Sequence, residues 1–217
     1  MIRDFLPPPR GHKPVKKLLS ESYDRSKPFI IIGKGPSARF VHSSEEYYVC
    51  CLNQSGRMTD KIDFQVLGDH QVYKSMILIP DYFKKIDNLL IPVQFNQDNP
   101  EKKKSLELMS PEHIEHMNVY EHSFHFHPYP ETDDVRVYTV ISSGETAIAW
   151  LLDEGFKTFY TVGIDPYAPD NIRHDVFEEN NEGVGKYPNM PGGMVISYNR
   201  MKQRANHFGA TLEKFRG

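Results

Sequence analysis

The sequence predicts an α/β fold built on one doubly wound, mostly parallel sheet with helices on both faces. Three observations lead there. Phe29-Ile30-Ile31-Ile32 is a short apolar run between Pro28 and Gly33, the pattern of a strand buried on both faces. Ser142 and Glu145 have capping-box spacing and open a helical stretch that stops at Gly155. Strand-like and helix-like segments then alternate along the second half, which puts helices in the crossovers between parallel strands.

The elements follow in order. Residues 1–28 hold Pro7, Pro8, Pro9, Pro14 and Pro28 and little periodicity, so they read as an arm on the surface, with a short helix at 15–22. The single domain then runs from 29 to 217. After the first apolar run, 47–52, 64–67 and 88–93 read as strands. Met76, Ile77, Leu78 and Ile79 read as core. Residues 94–134 are polar, carry five of the ten histidines and lack sustained period. A loop that long is uncommon in a compact domain, so a short helix opened by Ser110-Pro111 and a flap over the site are expected there. Residues 135–141 alternate as a strand, and Ile148, Leu151 and Leu152 share one face of the helix that follows. A strand at 157–163 comes next, then a helix at 197–207 closed by Gly209 and a last strand at 211–215.

Composition narrows the class. At 217 residues, 39% apolar and 25% charged, the chain suits one ordinary globular core and excludes wholesale disorder. No apolar run approaches the roughly 20 residues that span a bilayer. Met1 to Arg10 begin with charge and proline, unlike a secretory leader. The adjacent Cys50 and Cys51 cannot build a disulfide framework, so a reducing cytoplasm is the expected location. Charge is uneven: residues 1–27 carry seven basic against three acidic side chains, a net of +4, leaving −7 on the remainder of a chain whose total is −3. Such an arm is either a solvated surface or a phosphate-binding one.

The sharpest local feature is Gly33-Lys34-Gly35-Pro36-Ser37, straight after the first buried strand. A glycine-rich turn there lets backbone N–H groups approach phosphate, and Pro36 suits the first position of a helix behind it. It is neither a Walker A loop nor a full dinucleotide fingerprint. Asn53 and Gln54 follow the second strand, as amides suited to a ribose or base edge, and Gly68-Asp69-His70 follow the third. Ligands of open parallel sheets sit beyond the carboxyl ends of strands, so these groups should face one crevice. His122, His125 and His127 invite a metal reading, but no cysteine completes a ligand set, and no metal site is predicted.

The order Ile31-Ile32-Gly33-Lys34-Gly35-Pro36-Ser37, Asn53-Gln54, Ile141-Ser142-Ser143-Gly144 and Gly163-Ile164-Asp165-Pro166-Tyr167 resembles the bacterial lipooligosaccharide sialyltransferases, from about residue 29 to 167. The hydroxymethylpterin pyrophosphokinases share a similar glycine-rich start. The resemblance implies a Rossmann-like fold of glycosyltransferase type. It further implies that Gly33, Gly35, Pro36 and Ser37 line a nucleotide, that Asn53 contacts it, that Ser143 and Gly144 form a phosphate-side loop, and that Tyr167 stabilises the leaving phosphate. There are departures. Lys34 and Asp69 stand where the family has asparagines. Val140 takes the place of an arginine, with Arg136 on the same strand. Where the family has its histidine before the last helix, this chain reads Val195-Ile196-Ser197.

The function expected is therefore an inverting glycosyltransferase that takes a nucleotide-activated sugar, with no cofactor and no obligatory metal. His174 is the first candidate for the general base, oriented by Asp175, with Asp69, His70 and Asp165 behind it. Lys34, Arg173 and Tyr167 would neutralise the leaving diphosphate. The acceptor is either a glycan or a hydroxylated base in DNA, the latter motivated by the basic arm and by Arg200, Lys202 and Arg204 on the last helix. Two rival readings stand beside it: a Mg²⁺-dependent pyrophosphokinase and a nucleotide-binding module without catalysis.

Overall fold

The computed structural model describes residues 19, 22–35, 37–68, 70–92, 110–114, 117–122, 125–126, 139–140, 142–164 and 193–216. Seven strands form one sheet: β1 (Phe29–Ile32), β2 (Tyr48–Leu52), β3 (Phe64–Val66), β4 (Asn88–Pro92), β5 (Asn118–His122), β8 (Thr158–Val162) and β9 (Thr211–Lys214). Their order is β5-β4-β3-β2-β1-β8-β9, and every pairing is parallel. A separate pair joins β6 (His125–Phe126) to β7 (Thr139–Val140). The helices are α1 (His70–Met76), α2 (Pro111–Ile114), α3 (Ser143–Asp153) and α4 (Gly193–His207).

The two-residue period of the strands sorts the core into two layers. Phe29 and Ile31 of β1 join Cys50, Phe64, Leu90 and Phe159 under α3 and α4. Ile30 and Ile32 point the other way, with Val49, Cys51, Leu89 and Ile91, under α1 and the Tyr82-Phe83 turn. Helices therefore cover both faces, which is why β1 has no polar position and every residue in it is buried. The fold is a Rossmann-like α/β sheet.

Helix ends follow the residues that signalled them. Ser142 caps α3, its Oγ accepting from the Glu145 amide at 3.2 Å. Beyond Asp153 the chain turns through Gly155 at φ +97°, with Gly155 N–H donating to Leu152 and Phe156 N–H to Leu151. That double bond pattern needs a left-handed residue at the glycine position. It repeats after α4, where Gly209 has φ +65° and Ala210 N–H reaches Ala205.

Several expectations are corrected. No helix follows the glycine-rich turn: residues 37–40 are non-helical, and the chain reaches β2 through loops and isolated bridges. The last helix begins at Gly193 rather than Ser197. Within 135–141, the described strand is Thr139–Val140, and it belongs to the small sheet. Residues 118–122 add an edge strand inside the stretch expected to be a flap with a helix, and the helix itself appears as α2. Met76 is fully buried, but α1 ends there, and the turn beyond it leaves Ile77 and Leu78 exposed at 45% and 76%. Of the basic residues on α4, Arg200 and Arg204 are each 3% exposed. Both are buried, and Arg200 lies against Glu145 of α3, so they offer no phosphate-binding surface.

The α3–α4 contact is polar at its heart. Arg200 Nε lies 3.4 Å from Glu145 Oε2, both side chains almost fully buried, and Ser142 Oγ meets Ser197 Oγ at 2.5 Å. Gly144 leaves room for Met201, whose Sδ would lie 2.9 Å from a Cβ there. The described part of the arm is also engaged with the domain. Arg25 donates to the Glu154 carbonyl at 3.2 Å, and its guanidinium sits 5.2 Å from the centre of the Phe156 ring. Among the described residues no helix is long and apolar enough to cross a membrane.

Cys50 and Cys51 point into opposite layers and are both fully buried. Burial pushes the Cys51 thiol up to about 12, against the lowering effect of Ser55 and Lys85, and raises the Cys50 thiol well above its ordinary range. Since the thiolate is the reactive species, neither should react with Ellman's reagent at pH 8 in the folded protein. Both should titrate in guanidinium. Rapid labelling of either thiol without denaturant would contradict this packing.

Candidate functional site

The chain runs outward from β1 to β5 and then returns to add β8 and β9 on the other side of β1. The topological switch therefore lies between β1 and β8, and ligands of such sheets bind at the carboxyl edge near it. Three loops gather on that edge, from the ends of β1, β2 and β3, together with the start of α3.

The glycine-rich turn behaves differently from expectation. Gly33 N–H donates to the Val162 carbonyl and Gly35 N–H to the Gly163 carbonyl, each at 2.7 Å. Ser37 Oγ accepts from Gly163 N–H at 3.0 Å. A Cβ on Gly33 would fall 2.3 Å from the Gly163 oxygen, and one on Gly163 would fall 2.6 Å from the Gly33 oxygen. The turn is thus clasped onto the end of β8, and the Gly33 and Gly35 amides are spent on carbonyls rather than offered to phosphate. Gly33 is glycine because two backbones touch there. Lys34 is half-buried at the crest of the same turn. Pro36 lies outside the described residues, as do Asp69, Tyr167, Arg173 and His174.

The second loop carries the most distinctive geometry. Asn53 opens a 3-10 turn (Asn53–Met58) with φ +53°, the left-handed region that asparagine tolerates better than other residues with a Cβ. Its Oδ1 accepts from the Gly68 amide at 2.8 Å. A Cβ on Gly68 would lie 2.7 Å from Ser143 Oγ and 3.6 Å from Asn53 Nδ2. Asn53, Gly68 and Ser143 therefore meet at one half-exposed rim, contributed by the ends of β2 and β3 and the first turn of α3. The first amides of a helix have no partner within it, and they carry the positive end of its dipole. The rim combines an amide side chain, a hydroxyl and a helix start, chemistry suited to an anionic, hydroxyl-bearing ligand such as a nucleotide.

Gln54 is not brought to that rim. It is 5% exposed, and its Nε2 donates to Ser75 Oγ on α1 at 2.7 Å. Gly144 lies beside Ser143, but its missing Cβ serves the α4 packing described above. His70 begins α1, and the metal candidates His122 and His125 occupy β5 and β6.

Residues the sequence did not flag hold the rim in place. Ser55 Oγ accepts from Leu52 N–H at 2.8 Å and donates to the Ile32 carbonyl at 2.5 Å, which ties the β2 turn to β1. Gln65, in the middle of β3, donates to the Asn53 carbonyl at 2.9 Å, and Tyr82 Oη reaches the same oxygen at 3.0 Å. Burial drives the Tyr82 phenol well above its ordinary range, so it remains a donor at physiological pH. A polar residue inside a strand that is buried on both faces was the available signal for Gln65.

No family model matches the sequence, and no curated protein matches it. A search of solved structures finds the monofunctional alpha-2,3-sialyltransferase Cst-I from Campylobacter jejuni, at 18% identity and a TM-score of 0.53. The match covers 90% of this chain and 76% of that one. At that identity the likeness is one of fold, and it is a sialyltransferase-like fold.

Proposed function

We propose that this chain is an inverting glycosyltransferase that takes a nucleotide-activated sugar and transfers it to a glycan hydroxyl. The fold likeness to a protein titled a sialyltransferase supports transferase chemistry. The observation that carries the reading to these residues is the rim itself, where left-handed Asn53, Gly68 and Ser143 meet at the carboxyl edge of a parallel sheet. In this reading the Asn53 amide and the α3 start bind the nucleotide, with Ser143 on the phosphate side. Tyr167, Arg173, His174 and Asp165 follow β8 in sequence. Tyr167 and Arg173, with Lys34, stabilise the charge that grows on the leaving phosphate. His174 takes the proton of the acceptor hydroxyl as the new glycosidic bond forms, with Asp69 the alternative base. The Lys34 and Arg173 cations stand in for a metal, so turnover should survive EDTA.

The test begins with binding. Ligand that selects the folded state at 100 times its dissociation constant adds about 2.7 kcal/mol, a rise in melting temperature of roughly 5–11 °C for a chain of this size. CMP, UMP, UDP and GDP should be screened this way. Asn53→Gly keeps the backbone conformation and removes the amide, and it should weaken the best ligand about tenfold, or about 1.4 kcal/mol. Ser143→Ala should do similarly. A melting point unmoved by every nucleotide would end the proposal. Nucleotide turnover that EDTA abolishes and Mg²⁺ restores would favour a pyrophosphokinase.

A further inference from the structure

We infer that Tyr82 and Gln65 are positioning residues, a buried brace that holds the Asn53 amide at the rim; the inference rests on reading that rim as the nucleotide site. The argument starts from a misfit. Gln65 is fully buried in β3, in the layer made by Ile30, Ile32, Cys51, Leu89 and Ile91. An aliphatic residue would satisfy that layer, whereas a buried amide is costly unless it is hydrogen-bonded. Its two shortest bonds are directed at the end of β2, where Nε2 donates to the carbonyls of Cys51 at 3.0 Å and Asn53 at 2.9 Å, with a longer one to the Val66 carbonyl of its own strand at 3.2 Å.

Tyr82 completes the arrangement from the opposite side. Its ring is 1% exposed, and its single hydroxyl proton is shared between the Asn53 carbonyl at 3.0 Å and Gln65 Oε1 at 3.1 Å. The same oxygen accepts from Gly56 N–H at 3.0 Å. Gly56 is glycine for this reason, since a Cβ there would lie 2.3 Å from the Tyr82 oxygen. Lys85 closes the turn by donating to the carbonyls of Gly56 and Thr59.

The carbonyl of Asn53 thus receives two side-chain donors, while its backbone sits at φ +53°. A residue with a Cβ leaves that conformation unless its surroundings fix it. With the peptide fixed, the side chain is aimed at the Gly68 amide. Tyr82 and Gln65 reach no ligand themselves; they act through Asn53.

The experiment is a double-mutant cycle. Tyr82→Phe, Asn53→Gly and the double variant are titrated calorimetrically with CMP, UMP and UDP, and each is checked for folding by circular dichroism. Tyr82→Phe should weaken binding about five- to tenfold alone, and less than about twofold in the Asn53→Gly background, because coupled residues are non-additive. Gln65→Leu should show the same pattern. A second readout needs no ligand: hydrogen exchange at the Gly68 amide should speed up about tenfold in Tyr82→Phe, with the Leu212 amide in β9 unchanged. Equal loss of affinity in both backgrounds, or a Gly68 amide as protected as in the parent, would overturn the inference. If the parent binds none of these and GDP leaves its melting point unmoved as well, the function proposal fails, and the Gly68 exchange result alone decides for or against the brace.

Discussion

Gly33→Ala is expected to lower the stability of the fold by about 3–5 kcal/mol, from one added methyl group. The methyl carbon would lie 2.3 Å from the Gly163 oxygen and 2.9 Å from its carbonyl carbon. These are backbone atoms with nowhere to rotate. Overpacking typically costs about 1–3 kcal/mol, and relief by separating the strands would weaken the Gly33–Val162 and Gly35–Gly163 hydrogen bonds, each worth about 0.5–1.5 kcal/mol. For a chain of this length that corresponds to a fall in melting temperature of roughly 6–20 °C. Gly209→Ala is the control. Unlike Gly33 it carries left-handed strain, at φ +65°, and it has nothing within 4 Å of the added carbon, so the substitution should cost only about 1–2 kcal/mol. Thermal melts of the two variants separate contact from conformation. A Gly33→Ala protein as stable as the Gly209→Ala one would show that the turn is not clasped to β8.

Arg200→Met should cost about as much, for a different reason. It leaves Glu145, 1% exposed, without the guanidinium that lies 3.4 Å from its carboxylate. Breaking one side of a desolvated ion pair typically costs about 3–5 kcal/mol, whereas replacing both partners with apolar groups is often near neutral. Urea unfolding of Arg200→Met, and of the double variant with Glu145→Leu, tests this directly. The double variant should recover most of the loss. The difference should also persist in 1 M salt, since buried pairs are poorly screened. A single variant within about 1 kcal/mol of the parent would place the pair in solvent.

Both predictions concern residues whose importance could be seen in the sequence while their role could not. The apolar run of β1, the capping serine of α3 and the glycines at 155 and 209 were legible because each is decided locally, by periodicity or by a left-handed turn. The parallel pairing of the sheet followed from alternation. What failed to show was anything set by contact across the sequence. Gly33 looked like an opening for phosphate because a strand followed by Gly-x-Gly reads that way. Its actual neighbour is Gly163, far along the chain. Arg200 and Arg204 looked like a basic surface, because no helical period distinguishes a buried arginine from an exposed one. Asn53 and Ser143 were picked out by their resemblance to a family motif, and they do converge. Gln54 was picked out beside them, and a shift of one residue turned it inward towards Ser75. Strand β5 was illegible because an edge strand of mixed polarity carries little period. Ser55 and Tyr82 escaped because a residue that supports another leaves no local mark, and Gln65 was marked only by its polarity inside an otherwise apolar strand.

The pairing of β1 has a consequence for how this protein is made. β1 is flanked by β2 on one side and β8 on the other, with Phe29 opposite Phe159, about 130 residues later in the chain. At roughly 5–20 residues per second, the ribosome needs about 7–26 seconds between supplying the first strand and supplying its second partner. Through that interval the apolar segment Phe29–Ile32 has one edge unmatched, and it carries no charge or proline of its own to discourage association with other chains. Much of the sheet can assemble on the β2 side while it waits, but its centre stays open until residues 158–162 emerge. The burden on cellular chaperones therefore falls during synthesis, and it is greatest in the late interval just before β8 arrives.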